Sequence, residues 1–127
     1  MRIILPWPPS VNHAFATVGR RRVLSQKGRD YRDSVAKRVL MDRWQNAFGL
    51  HDEITVKIVA YPPDKRRRDL DNSMKAVLDA LQTAGVYPDD SQIVSLSIIR
   101  DAIDYPFGSI EVELTAVARI AAGRVSK

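Results

Sequence analysis

Residues 54–85 read ITVKIVAYPPDKRRRDLDNSMKAVLDALQTAG, and the hydrophobic period changes partway along them. That change decides the fold class. Ile54, Val56, Ile58 and Ala60 alternate with their neighbours, a period of two that predicts a strand over residues 54–61. Pro62-Pro63 stops it, because proline has no amide hydrogen to give a sheet ladder. Past the charged block, Met74, Val77, Leu78 and Leu81 fall at i, i+3, i+4 and i+7. This spacing predicts a helix over residues 72–84, with Gly85 at the C′ position where a left-handed backbone closes a helix.

Outward from this unit the pattern continues. Residues 2–5 form a short β-like run that Pro6-Trp7-Pro8-Pro9 cuts off, leaving a stiff extended strap. Ser25 is placed to cap a helix over residues 27–48, where Tyr31, Val35, Val39, Trp44 and Phe48 recur near helical period and Gly49 ends it. Two further strands are expected over residues 93–100 and 109–117, joined by a loop with Pro106 and Gly108; the last ten residues are expected to fray, with an extension of the final strand over residues 117–120 as the alternative. The order is βαβαββ. The expected fold is therefore α/β or α+β, a mixed β-sheet with two main helices packed against it. No repeat or Pro/Gly/Ser linker divides the chain, so residues 1–127 are read as a single domain.

Composition narrows the partners. A hydrophobic share of 45% beside 28% charged residues is globular, and no apolar run approaches the roughly 18 residues of a membrane span. The opening residues lack the apolar stretch of a signal peptide, so a soluble, cytoplasmic chain with no membrane partner is expected. The absence of cysteine excludes disulfides and thiolate metal sites, leaving oxygen and imidazole as metal donors. Lys+Arg number 20 against 15 Asp+Glu, a net charge of +5 that favours polyanions. The excess is concentrated in two runs, Arg20-Arg21-Arg22 at an expected hairpin turn and Lys65-Arg66-Arg67-Arg68; both are candidate phosphate contacts. His13 and His51 stand apart without metal-ligand spacing, and Ser73 and Ser91 have no base beside them.

The chemistry concentrates in RRRDLDNSMK, residues 66–75. If Asp69-Leu70-Asp71 is extended, both carboxylates point to one side and Leu70 turns to the core. Two adjacent carboxylates repel, and a hard divalent cation is the usual way such a pair becomes favourable. The plainer reading is an N-cap, with Asp71 capping the helix and Asp69 beside the positive end of its dipole. Asp89-Asp90 could supply a third carboxylate. Lys75 lies one helical turn beyond Asp71, either pairing with a neighbouring aspartate or setting a cation against a phosphate. A helix over residues 72–84 is about 20 Å long. Residues 85–90 span at most about 20 Å. Asp90 therefore joins Asp71 only if that loop runs back nearly extended, or if a partner subunit completes the site.

The stretches LPWPPSVNH, SQKGRDYRDSV, PPDKRRRDLDN, KAVLDAL and AGVYPDDSQI together resemble the RusA-type Holliday junction resolvases, a prophage-associated family of crossover junction endodeoxyribonucleases. The resemblance implies a RusA-like domain with Asp69, Asp71 and Asp90 as catalytic and metal-binding aspartates. It implies Lys75 as the essential lysine, and Arg68 and Asn72 as DNA contacts beside the basic residues Lys65, Arg66 and Arg67. It further implies a homodimer that binds four-way junctions and makes paired, symmetric nicks with Mg²⁺, Mn²⁺ being a substitute. Two alternatives stay open: a nuclease of broader flap and fork specificity, and a non-catalytic module that binds branched DNA. Trp7 could stack on a base or pack at a dimer interface. Residues 101–108 and those after Val117 match nothing in the family.

Overall fold

A computed structural model describes residues 1–10, 15–19 and 21–117. The elements run β1 (Arg2–Pro6), β2 (Phe15–Val18), β3 (Arg21–Leu24), α1 (Gln26–Met41), β4 (Ile54–Tyr61), α2 (Leu70–Thr83), a short 3₁₀ helix (Asp90–Gln92), β5 (Ile93–Arg100) and β6 (Ser109–Ala116). Four strands form one sheet in the order β1-β6-β4-β5; β4 and β5 are parallel and the other pairs antiparallel. The expected mixed sheet with two helices is therefore what forms, with β2 and β3 as a separate hairpin. Among the described residues no helix is long and apolar enough to cross a membrane.

The alternation in β4 works as anticipated: Ile54, Val56, Ile58 and Ala60 are buried, and they meet Leu114, Val112 and Ile110 of β6 across the ladder. Ile3 and Leu5 of β1 extend that apolar face, which is covered by Tyr31, Val35 and Val39 of α1 and by Met74, Val77, Ala80 and Leu81 of α2. Ser25 caps α1, its hydroxyl accepting from the Gly28 amide at 3.1 Å. Two helix boundaries differ from the expectation. The first helix stops at Met41, because Arg43 turns left-handed at φ 61°, its amide donating to Leu40 and that of Trp44 to Val39. This is a Schellman closure on a residue other than glycine. Trp44 and Phe48 keep helical spacing but pack from a loop, and that loop pairs with the turn after α2 through Asn46 to Gly85 and Phe48 to Val86. The second helix starts at Leu70 rather than Asn72, and closes as expected on Gly85 at φ 88°.

Strand direction fixes what gathers at each end of the sheet. Pro6 of β1 and Tyr61 of β4 both pair with Ser109 of β6, and Ala60 pairs with Arg100 of β5. The ends of β1, β4 and β5 and the start of β6 therefore share one rim. The Trp7-Pro8-Pro9 strap, residues 62–69 leading into α2, and the loop of residues 101–108 all leave from it. Asp89 and Asp90, just before β5, lie at the opposite rim. Among the described residues β5 is also an edge: Leu96 pairs with Val56, yet Val94 and Leu96 are nearly half exposed.

Candidate functional site

The basic block is organised by a residue that charge-counting passed over. Asp64 accepts from the Arg66 amide at 2.8 Å and receives the Arg68 guanidinium at 2.8 Å, while Arg66 reaches it at 3.9 Å. The hydrogen bond from Arg68, then that from the Arg66 amide, holds the Asp64 carboxyl below the usual range. Arg68 also donates to the carbonyls of Asp64 and Arg66, and its guanidinium lies 5.7 Å from the centre of the Trp7 ring. Arg100 donates to the Arg68 carbonyl at 2.9 Å. Arg68 is thus held from several directions, whereas Lys65 and Arg67 are exposed and make no ion pair among the described residues.

Beside this block opens a cleft of about 560 Å³, lined by Trp7, Pro8, Arg66, Arg68, Asp69 and Asn72 among others. Its rear wall is the proline strap, which Tyr31 fastens by donating to the Pro6 carbonyl at 2.9 Å. Burial pushes that tyrosine hydroxyl far up its scale. A second depression joins Trp7, Lys65 and Asp69 to Arg100 and Ile103 from the far side of the sheet. Trp7 and Arg100 carry no local sign of this role; strand order alone brings them here.

Asp69 and Asp71 do not share an extended segment, which corrects the expectation for that stretch. Asp69 is the extended N-cap residue of α2, with φ −80° and ψ 127°, and its side chain caps nothing; Leu70 and Asp71 are already helical. The helix can start there because the aspartates sit at the positive end of its dipole, so the first turn needs no other cap. Both carboxylates are exposed at the helix mouth, and Asp69 faces the cleft. Lys75 is exposed one turn further on, 3.9 Å from Asp79, too loose a pair to tie it down. Asn72 lines the cleft beside Ser73.

Asp90 lies elsewhere in the chain. Its amide donates to the Gln82 side chain at 2.9 Å, near the other end of α2. Asp89 caps the 3₁₀ helix by accepting from the Ser91 amide, which holds its carboxyl pKa below the carboxylate norm. Tyr87, buried beneath, donates to the Leu78 carbonyl at 2.6 Å, and its burial, with the charges of Asp90 and Asp79, keeps it protonated. Gln82 lies eleven residues past Asp71, about 16 Å along a helix. Among the described residues no three acidic or histidine side chains converge to hold a metal. One chain brings Asp69 and Asp71 together with the cationic block, and holds Asp90 apart from them.

Of the second basic run, Arg21 is exposed in β3 opposite Val18, while Arg20 and the side chain of Arg22 lie outside the described residues, as does His13. His51 is exposed, away from the cleft residues.

Comparison with known proteins adds an independent line. The family described as Endodeoxyribonuclease RusA matches residues 6–115. Crossover junction endodeoxyribonuclease RusA of Escherichia coli (strain K12) is 41% identical over 101 residues, covering 77% of this chain and 80% of its own. The protein of the same name from Enterobacteria phage HK97 is 33% identical over 119 residues, covering 94% of this chain and 97% of its own. A third, from Enterobacteria phage 82, is 40% identical over 101 residues.

Proposed function

The chain belongs to the RusA family of endodeoxyribonucleases and is a nuclease; from that premise we propose that it cuts four-way DNA junctions with Mg²⁺, by paired nicks made by a homodimer. The observation that carries the reading is the helix mouth, where Asp69 and Asp71 stand exposed beside an open cleft rimmed by Arg66, Arg67 and Arg68. Unpaired acids that face solvent among cations suit a bound phosphodiester with its counter-cation.

The donor set is all oxygen, as a hard cation requires, but one chain offers only two of its three carboxylates. A second protomer supplies the third. Among the described residues β5 is an unpaired edge, and antiparallel pairing with its copy about a two-fold axis near Ser95 sets the partner's Asp90 opposite Arg100. Arg100 in turn holds the carbonyl that precedes Asp69. The exposed Val94 and Leu96 become buried in that arrangement. Each of the two sites then takes Asp69 and Asp71 from one protomer and Asp90 from the other, and the two-fold axis relates two incisions in strands of like polarity.

When bound, Mg²⁺ or Mn²⁺ at these carboxylates supplies polarisation of the scissile phosphate and acidification of water. The chain's own residues do the rest. Lys65, Arg66 and Arg67 hold flanking phosphates. Arg68, fixed by Asp64 and Trp7, presents the cleft wall. Asn72 donates towards the backbone, and Lys75 opposes charge developing on the phosphoryl oxygens. Water attacks phosphorus in line, the bond to O3′ breaks, and the products carry a 5′-phosphate and a 3′-hydroxyl. Comparing a synthetic four-way junction, a flap and a linear duplex in Mg²⁺ tests the substrate. Preferential, symmetric cutting of the junction is expected; equal cutting of the flap supports the broader branched-DNA nuclease instead.

A further inference from the structure

The loop of residues 101–108 joins β5 to β6 across the end of β4, at the rim that carries the cleft. It is firmly built. The Asp101 amide donates to Ala60, that of Asp104 to Pro62 and that of Gly108 to Asp104, all within 2.8 Å, while the Ser109 hydroxyl reaches the Asp104 carboxylate. Gly108, at φ +73°, lies so close to Pro63 that a Cβ there would stand 2.8 Å from the proline ring. The loop is thereby packed onto the residues that begin the basic block.

From this fixed base the loop displays apolar surface. Tyr105 is 78% and Phe107 83% exposed, and Ile103 continues the apolar strip down to the depression that holds Lys65, Arg66 and Asp69. Two large rings held in water by an anchored loop contribute nothing to the core, and exposed apolar surface of that kind marks a binding element. Its charge says what it does not bind. Residues 101–108 contain two aspartates and no lysine or arginine, so they repel a phosphate backbone. A neutral, flat ligand beside a phosphate-binding block is a nucleobase, and aromatic side chains flanking a cationic groove are how unpaired bases are held.

We propose that Tyr105 and Phe107 stack on bases exposed at the branch point, so that this loop, rather than the basic block, reads the unpaired centre of the junction. The inference rests on the branched-DNA reading above. Cationic residues hold phosphates of any duplex, whereas stacking rings reward only DNA whose bases leave the stack readily, as they do at a branch point.

The test is the full-length Tyr105→Ala/Phe107→Ala variant, against wild type and Tyr105→Phe, on a four-way junction carrying 2-aminopurine beside the crossover. Wild type and Tyr105→Phe are expected to raise the fluorescence by unstacking. The double variant should lose that rise and bind the junction about fivefold or more weakly per ring removed. Its affinity for linear duplex and the salt slope of binding should stay unchanged, because no phosphate contact is touched. A double variant that binds and unstacks the junction like wild type overturns the proposal. So does one that becomes monomeric while wild type is dimeric, which assigns the rings to a protein interface. Failure of wild type to bind a junction in preference to duplex removes the branched-DNA reading and this inference together, so the two failures are told apart by the wild-type arm.

Discussion

If each site is shared between protomers, two inactive variants of the right kind must restore one another. Asp71→Asn and Asp90→Asn should each abolish cutting as homodimers. Coexpressed with different tags and purified through both, they form a mixed dimer in which one site carries both lesions and the other carries none. The geometry sets the contrast. Mg²⁺ holds its oxygens at about 2 Å, whereas Asp71 and the Gln82 side chain that binds the Asp90 amide are separated by about 16 Å of helix. A strand of 8 residues, β5, runs from the rim of Asp90 to the rim of the cleft, roughly 23 Å away. No side-chain rearrangement closes such a gap within one chain. The mixed dimer should therefore nick a four-way junction at about half the wild-type rate per dimer, having one intact site of two. Its product should be a singly nicked junction rather than two resolved duplexes, seen on parallel denaturing and native gels. A mixed dimer with no activity would refute the shared site, and failure of the two tags to copurify would refute the homodimer.

Other outcomes follow from single contacts. Asp64→Asn removes the carboxylate that holds Arg68, so junction affinity should fall although a negative charge beside the DNA is lost; simple charge-counting expects tighter binding, and a filter-binding titration separates the two. Because Arg68 keeps the Asp64 pKa below 3.8, that contact is present above this pH and lost only as pH falls through the depressed value; the Arg68 Nε resonance in an NMR titration should hold steady from pH 7 to about 5. Tyr31 and Tyr87 shift the other way. Both stay protonated in the fold above the 10.0 at which they ionise when unfolded, so stability is full below pH 10 and declines above it, by about 1.4 kcal/mol per pH unit for each, read from urea midpoints. Leu81→Ala, in the buried face of α2, should cost about 2–5 kcal/mol in urea denaturation.

The sequence disclosed most where one period held without interruption. β4, α2, β5 and β6 were legible because alternation or helical spacing spans each of them and Gly85 marks a closure. α1 was overextended because Trp44 and Phe48 keep its spacing, and nothing in the identity of Arg43 announces a left-handed turn. The Asp69-Leu70-Asp71 stretch was ambiguous for a chemical reason: aspartate suits both a metal and a helix mouth, so residue type cannot choose between an extended pair and the start of a helix. Arg100 and Trp7 were invisible as neighbours of Arg68, since only strand order joins them; Asp64, four residues before Arg68, carried a readable signal. The separation of Asp90 was half legible. A strand, helix and parallel strand in succession must begin their second strand at the rim opposite the end of the first, and that rule already divides Asp90 from Asp71 in one chain.

If the carboxylates at the mouth of α2 cut DNA rather than merely start a helix, removing one charge there separates binding from cleavage. The most direct measurement is purified Asp71→Asn on a labelled four-way junction, binding and cleavage scored in the same samples across a Mg²⁺ titration. Junction affinity close to wild type is expected, with no cut strand at any Mg²⁺ concentration. Cleavage at the wild-type rate would contradict it.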